Sequence, residues 1–211
     1  KGKRETGCGG CNDGTAWRTG EEEMIPFPDK KYNIIYADPP WKHKTWSEKG
    51  RNRNPETIGH YNVLEFEQIK NLPIQSIADK NCVLFLWVLD QMLPESLELI
   101  NSWGFKYSTV GFNWVKTNKQ NFDQKGFLPY ENFFVGMGWW TRANQELCLL
   151  AKKGVIKRQS KSVRRLVVTP RQQHSKKPDV VKDRIVELCG DLPRIELFAR
   201  QKTGGWDAWG N

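Results

Sequence analysis

Asn33-Ile34-Ile35-Tyr36-Ala37 runs directly into Asp38-Pro39-Pro40-Trp41, and this junction decides how the chain is read. The first five residues are rich in β-formers and flanked by polar ones, the pattern of a strand buried in a parallel sheet. Two successive prolines have no N–H to donate and cannot continue the ladder, so the chain leaves the sheet at Asp38. In open α/β sheets ligands bind where strands exit at their carboxyl ends. The exit here carries a carboxylate, carbonyls without neighbouring N–H groups and an aromatic ring, which suits a planar nitrogen base. A plain strand-ending turn with a half-buried tryptophan is the competing reading.

The chemistry of an exocyclic amine explains why these residue types belong together. Its lone pair is delocalised into the ring, and it becomes nucleophilic when both N–H groups are held by acceptors. Asp38 offers one acceptor and the Pro39 or Pro40 carbonyl the second. Trp41 is expected to present a stacking face, worth about 1–3 kcal/mol per base at such platforms.

Outward from this junction, strands are expected at residues 82–89, 107–115, 146–151, 164–169 and 194–199, and helices at 63–70, 94–103 and 179–189. The helix ending at Cys189 begins after Pro178, stops at Gly190 and puts Val181, Ile185 and Leu188 on one face. Strands alternating with helices predict an α/β, Rossmann-like domain, mainly parallel, with helices on both faces. A chain of 211 residues suits one such domain, taken as 32–211. Residues 1–31, with Glu21, Glu22 and Glu23 and no apolar period, read as a tail or an arm against a partner. Residues 42–60 read as a long loop, a candidate lid.

The net charge of +9 is concentrated. Residues 152–177 hold ten Lys and Arg and no Asp or Glu, leaving 23 basic and 24 acidic residues elsewhere. Such a run attracts phosphates, and Arg164 and Arg165 within it are expected to contact nucleic acid. Lys42 and Lys44, just after Trp41, begin a second basic cluster. His43 and His60 read as loop residues. No run of eighteen apolar residues and no signal-peptide pattern occur, so an intracellular, reducing setting is expected, with no membrane partner. Cys82, Cys148 and Cys189 lie in apolar runs and read as core thiols. Cys8 and Cys11 lack the further ligands a zinc site needs, so no metal is expected. Neither G-x-G-x-x-G nor G-x-x-x-x-G-K-[ST] is present, which argues against dinucleotide and nucleoside triphosphate binding.

Several segments, in order, resemble the N6-adenine methyltransferases that include the catalytic subunit of the eukaryotic messenger-RNA adenosine methyltransferase and bacterial, phage and ciliate DNA enzymes. They are Asp-Pro-Pro-Trp, Leu84-Phe85-Leu86-Trp87-Val88, Asn113-Trp114-Val115-Lys116-Thr117-Asn118, Glu146-Leu147-Cys148-Leu149, His174-Ser175-Lys176-Lys177-Pro178-Asp179, Ile195-Glu196-Leu197-Phe198 and the closing Gly205-Trp206-Asp207-Ala208-Trp209-Gly210-Asn211. The resemblance implies a permuted motif order and S-adenosylmethionine as methyl donor. It implies catalytic roles for Asp38, Pro39, Pro40 and Trp41, and pairing of Lys177 with the donor carboxylate. Asp38, Glu196, Phe198, Arg200, Lys202, Thr203 and Asn211 would surround the rest of the donor, and Tyr61 and His174 would line the acceptor site. Gly138-Trp139-Trp140-Thr141-Arg142 and the closing Gly-Trp-x-x-Trp-Gly-Asn are similar to the DNA branch, so adenine in DNA is the expected substrate. Adenosine in messenger RNA is the alternative, and a non-catalytic nucleic-acid scaffold is the rival of another class. Relatives pair with a catalytically silent paralogue, so a heterodimer is expected, in the nucleus of a eukaryote or the cytoplasm of a bacterium or its phage.

Overall fold

A computed structural model describes residues 25–42, 63–118, 132–136, 140–172 and 176–210. The strand at the decisive junction is β1 (Tyr32–Ala37), and β2 (Ala78–Val88), β3 (Lys106–Thr117), β4 (Gln145–Lys153), β5 (Leu166–Pro170), β6 (Arg194–Leu197) and β7 (Asp207–Trp209) complete one sheet. Its order is β5-β3-β4-β2-β1-β6-β7. β4 runs antiparallel to both its neighbours, and the other six strands are mutually parallel. The carboxyl ends of those six and the start of β4 therefore share one edge.

Side chains alternate across β1 as the period of two requires. Ile35 and Ala37 join a core cluster with Ile69, Ile77, Leu99 and Ile100, which come from α1 (Phe66–Lys70), α2 (Ile74–Ile77) and α3 (Leu93–Ser102). Ile34 and Tyr36 point to the other face, against Val181, Ile185 and Cys189 of α4 (Asp179–Cys189). Helices thus cover both faces, as the alternation of elements predicts. The start of α1 is set by a capping box, in which Glu65 and Gln68 each satisfy the other's backbone N–H. This places the helix three residues later than the sequence pattern suggests. Among the described residues no helix is long and apolar enough to cross a membrane.

The expected tail needs correction over its described part. Phe27 stacks on Trp209 with ring centroids 4.3 Å apart, the Trp209 indole N–H donates to the Ile25 carbonyl at 2.9 Å, and Lys30 pairs with Asp207 at 2.7 Å. Residues 25–31 therefore close over the sheet edge of their own chain, because an aromatic and a cation there find partners on β7. The expected lid at 42–60, apart from Lys42, and the Cys8–Cys11 pair lie outside the described residues.

Candidate active site

Asp38 continues the alternation of Ile34 and Tyr36 and so emerges on the face covered by α4. Its Oδ2 accepts a hydrogen bond from Lys177 Nζ at 2.7 Å, and Glu146 Oε2 lies 3.3 Å from the same ammonium. Glu146 in turn accepts from Lys116 on β3. Two anions and two cations thus form a chain at the carboxyl edge of the sheet, contributed by β1, the segment before α4, β4 and β3. The Lys177 side chain is only 11% exposed and stands 5.5 Å from the centroid of the Trp87 ring. Burial works against its charge, but Asp38 and Glu146 outweigh it and hold the ammonium above the ordinary lysine range. Burial likewise works against the Glu146 carboxylate, and here Lys177 and Lys116 prevail and hold its pKa low. For Asp38 burial wins over Lys177, so its pKa is raised.

A second polar knot lies along the same face. Lys182 of α4, 9% exposed, donates to Glu196 of β6 and, at 2.7 Å, to Thr203 Oγ1. It ties a helix, a strand and the turn beyond that strand together. Burial raises the Glu196 pKa, partly offset by Lys182. Just past β6 the chain makes a strained turn: Phe198 has φ of 60°, in the left-handed region that costs a non-glycine residue about 1–3 kcal/mol. Gly210 packs against it so closely that a Cβ there would sit 2.8 Å from Phe198 Cα. Beside this turn a cleft of about 450 Å³ is lined by Tyr32, Arg200, Lys202 and Asp207.

The structure gathers Asp38, Lys177, Glu196, Phe198, Arg200, Lys202 and Thr203 onto the loops and strand ends expected to hold a donor. A mostly buried ammonium at Lys177, and beyond it the Glu196 carboxylate beside the Thr203 hydroxyl, match a ligand with a carboxylate at one end and hydroxyls at the other, so the residues present fit S-adenosylmethionine. Tyr61, Lys44, His174 and Asn211 lie outside the described residues.

One expectation needs correction. Trp41 is 5% exposed and packed in the core cluster on the α1–α3 face, opposite the face that carries Asp38. It offers no open stacking plate; the half-buried strand-ending tryptophan comes nearer. The cause is local: Trp41 N–H donates to the Pro39 carbonyl at 2.9 Å, and Leu64 N–H to the Pro40 carbonyl at 2.9 Å. These bonds turn the indole inward and occupy one lone pair on each carbonyl, leaving each a second for another donor. Arg164 and Arg165 lead into β5, the edge strand four places from β1, roughly 19 Å away at a strand spacing of about 4.8 Å. They do not touch the Asp38 cluster; Arg165 instead donates to Thr109 Oγ1 at 3.1 Å. Lys42 is paired with Glu65 on the surface, an attachment weak enough to yield to a phosphate.

Sequence reasoning assigned no role to Glu146, Lys116 or Lys182. A carboxylate heading the apolar run 146–151 and a lysine beside the Val181-Ile185-Cys189 stripe were the available signals.

This fold, its charged strand-end cluster and the likenesses below define a methyltransferase that uses S-adenosylmethionine and acts on the N6 amine of adenine. The chain belongs to the MT-A70 family, whose model matches residues 32–211. It is 34% identical over 206 residues to the type II methyltransferase M.MunI of Mycoplasma sp, covering 90% of this chain and 81% of that protein. It is 32% identical over 194 residues to the human N(6)-adenine-specific methyltransferase METTL4, covering 86% of this chain and 37% of that one. It is also 33% identical over 129 residues to the Arabidopsis thaliana N6-adenosine-methyltransferase non-catalytic subunit MTB, covering 61% of this chain and 15% of MTB.

Proposed function

We propose that this chain methylates the N6 amine of adenine in DNA, as the catalytic subunit of a complex. The observation that carries the reading is the Asp38–Lys177–Glu146 cluster at the carboxyl edge of the parallel strands. The likeness to the type II methyltransferase M.MunI across most of both chains supports methyl transfer, and the Gly138–Arg142 and Gly205–Asn211 segments, similar to the DNA branch, support DNA as substrate. Lys177 meets the donor's carboxylate, while Glu196, Arg200, Lys202 and Thr203 hold its ribose end with Phe198 and Asn211. Bound there, S-adenosylmethionine supplies an electrophilic methyl on a sulfonium. Asp38 accepts one N–H of the adenine amine and the free lone pair of the Pro39 carbonyl accepts the other, aligning the nitrogen for displacement. No strong base is needed, because the amine sheds its proton readily once alkylated. Tyr61 and His174 border the acceptor, and Lys42 and Lys44 meet neighbouring phosphates. Taking the base out of a duplex costs a few kcal/mol, less from a single strand. The partner is a catalytically silent paralogue, and the setting is the nucleus of a eukaryote or the cytoplasm of a bacterium.

Transfer of a labelled methyl group to matched DNA and RNA oligonucleotides, single- and double-stranded, tests the substrate. Preference for RNA, the acceptor of a relative from Pyricularia oryzae, the N6-methyladenosine RNA methyltransferase MTA1, would overturn it. The likeness to MTB, a non-catalytic subunit, favours a second reading as a scaffold. Calorimetry of donor binding with and without Asp38→Ala separates the two, since a scaffold would show no donor affinity to lose.

A further inference from the structure

On the α4 face, at the end of that helix remote from Lys177, lies a second cleft of about 530 Å³. Val110, Ile156, Val163 and Leu188 contribute an apolar floor, and Lys152, Lys157, Arg158 and Arg165 stand around it. Among the described residues no carboxylate lines this cleft, and none of these four cations forms an ion pair with one. The segment that carries the cations, residues 152–165, holds seven Lys and Arg and no Asp or Glu.

This segment is fixed, although it has no regular structure between β4 and β5. Val155 N–H donates to Asn81 Oδ1 at 2.8 Å, Gln159 N–H to the Leu188 carbonyl at 2.7 Å, and Ser160 Oγ to Glu187 at 3.2 Å. Gly154 allows the entry: its φ is 65°, and a Cβ there would lie 2.1 Å from the Lys80 carbonyl oxygen. The chain therefore holds like charges together around an apolar trough, an arrangement that folding alone does not reward. A ligand with regularly spaced anions and apolar sugar edges satisfies both parts.

We infer that this cleft binds the deoxyribose–phosphate strand of the substrate DNA several base pairs from the target adenine, sugars over the floor and phosphates on the cations. The inference rests on the proposed reading of the chain as a DNA methyltransferase and adds a second contact to it. α4 has eleven residues and spans about 16 Å at 1.5 Å per residue. With α4 alongside the duplex, at about 3.4 Å of helix axis per base pair, the cleft meets DNA roughly five base pairs from the extruded base.

The test is binding of DNA, measured by fluorescence anisotropy across a salt series, for the chain and its Lys157→Gln/Arg158→Gln variant. The short duplex is the stem of a loop-closed hairpin with two base pairs on each side of the target adenine, and the long duplex carries ten on each side. For the long duplex the variant should bind about tenfold or more weakly near 0.15 M salt, with the slope of log affinity against log salt reduced by about two. For the short duplex the two proteins should bind alike. Calorimetric donor binding and the melting temperature should be unchanged, which excludes misfolding. Equal losses on both duplexes, or no loss on the long one, overturn the inference. So does loss of an acidic protein partner with DNA affinity intact. Methyl transfer to the short duplex reports on the proposed function by itself, so either reading can fail alone.

Discussion

The indole N–H of Trp87 donates to the Tyr36 hydroxyl at 2.7 Å, beneath the Lys177 ammonium. Both rings are buried, and burial pushes the Tyr36 phenol well above its ordinary range, so the pair stays neutral. Tyr36→Phe leaves a buried N–H with no acceptor and should cost about 1–3 kcal/mol. The urea midpoint checks this; an unchanged midpoint would show that the bond contributes nothing.

Lys177→Met removes the cation that two carboxylates share. Loss of one partner of a buried pair costs about 3–5 kcal/mol, and the 27% exposure of the Asp38 side chain lowers the expectation to roughly 1–3. Donor affinity should fall at least tenfold by calorimetry, and methyl transfer with it. Lys176→Met, one residue earlier and paired on the surface with Asp179, should leave both nearly intact.

The dependence of stability on pH follows from the signs of the shifts. Glu146 is held below its ordinary 4.5, so its contribution is complete above that pH and drains away as pH falls through the lowered folded value. Lys177 is held above 10.5, so its share is complete below that pH and drains away as pH rises through the raised value. Asp38 has the opposite sign to Glu146: burial raises its pKa, so protonation favours the folded chain. Urea midpoints between pH 3 and 7 should therefore fall less steeply on acidification in Glu146→Gln and more steeply in Asp38→Asn than in the parent chain.

Burial pushes the Cys82 thiol up to about 12, Cys189 to about 11 and Cys148 well above its ordinary value. All three are buried, as their apolar runs predict. At pH 8 each is almost wholly protonated, and thiolate is the reactive form. Iodoacetamide followed by peptide mapping should label these three only after denaturant is added; labelling of Cys148 in the folded chain would contradict its placement beneath the site.

Trp41 gives a sharp test because a stacking plate and a core side chain answer differently to truncation. Trp41→Ala should cost about 3–5 kcal/mol of stability, the range for emptying a buried aromatic site. A plate would lose acceptor affinity with little change in unfolding. Comparing urea midpoints with the KM for the oligonucleotide decides between the two.

How much could be read from the chain alone follows from these residues. The β1 strand, its termination by two prolines and the emergence of Asp38 were legible, because a period of two and a missing donor act locally. The side taken by Trp41 was not: past the prolines the period is broken, and bonds to Leu64, more than twenty residues on, turn the ring. The reversed direction of β4 was equally hidden, since an apolar run carries no sign of which way it points. Lys177 was found through its family segment, whereas Glu146 and Lys182 become visible only when β4, β6 and α4 are brought together.

Asp38 and Lys177 are 139 residues apart in the chain, yet 2.7 Å apart in space. Contacts of such separation form only after the intervening loops have been closed, and they slow folding accordingly. A chain synthesised only as far as β5 already contains the four central strands in its sequence but not Lys177, so the cluster cannot be complete before that residue is added.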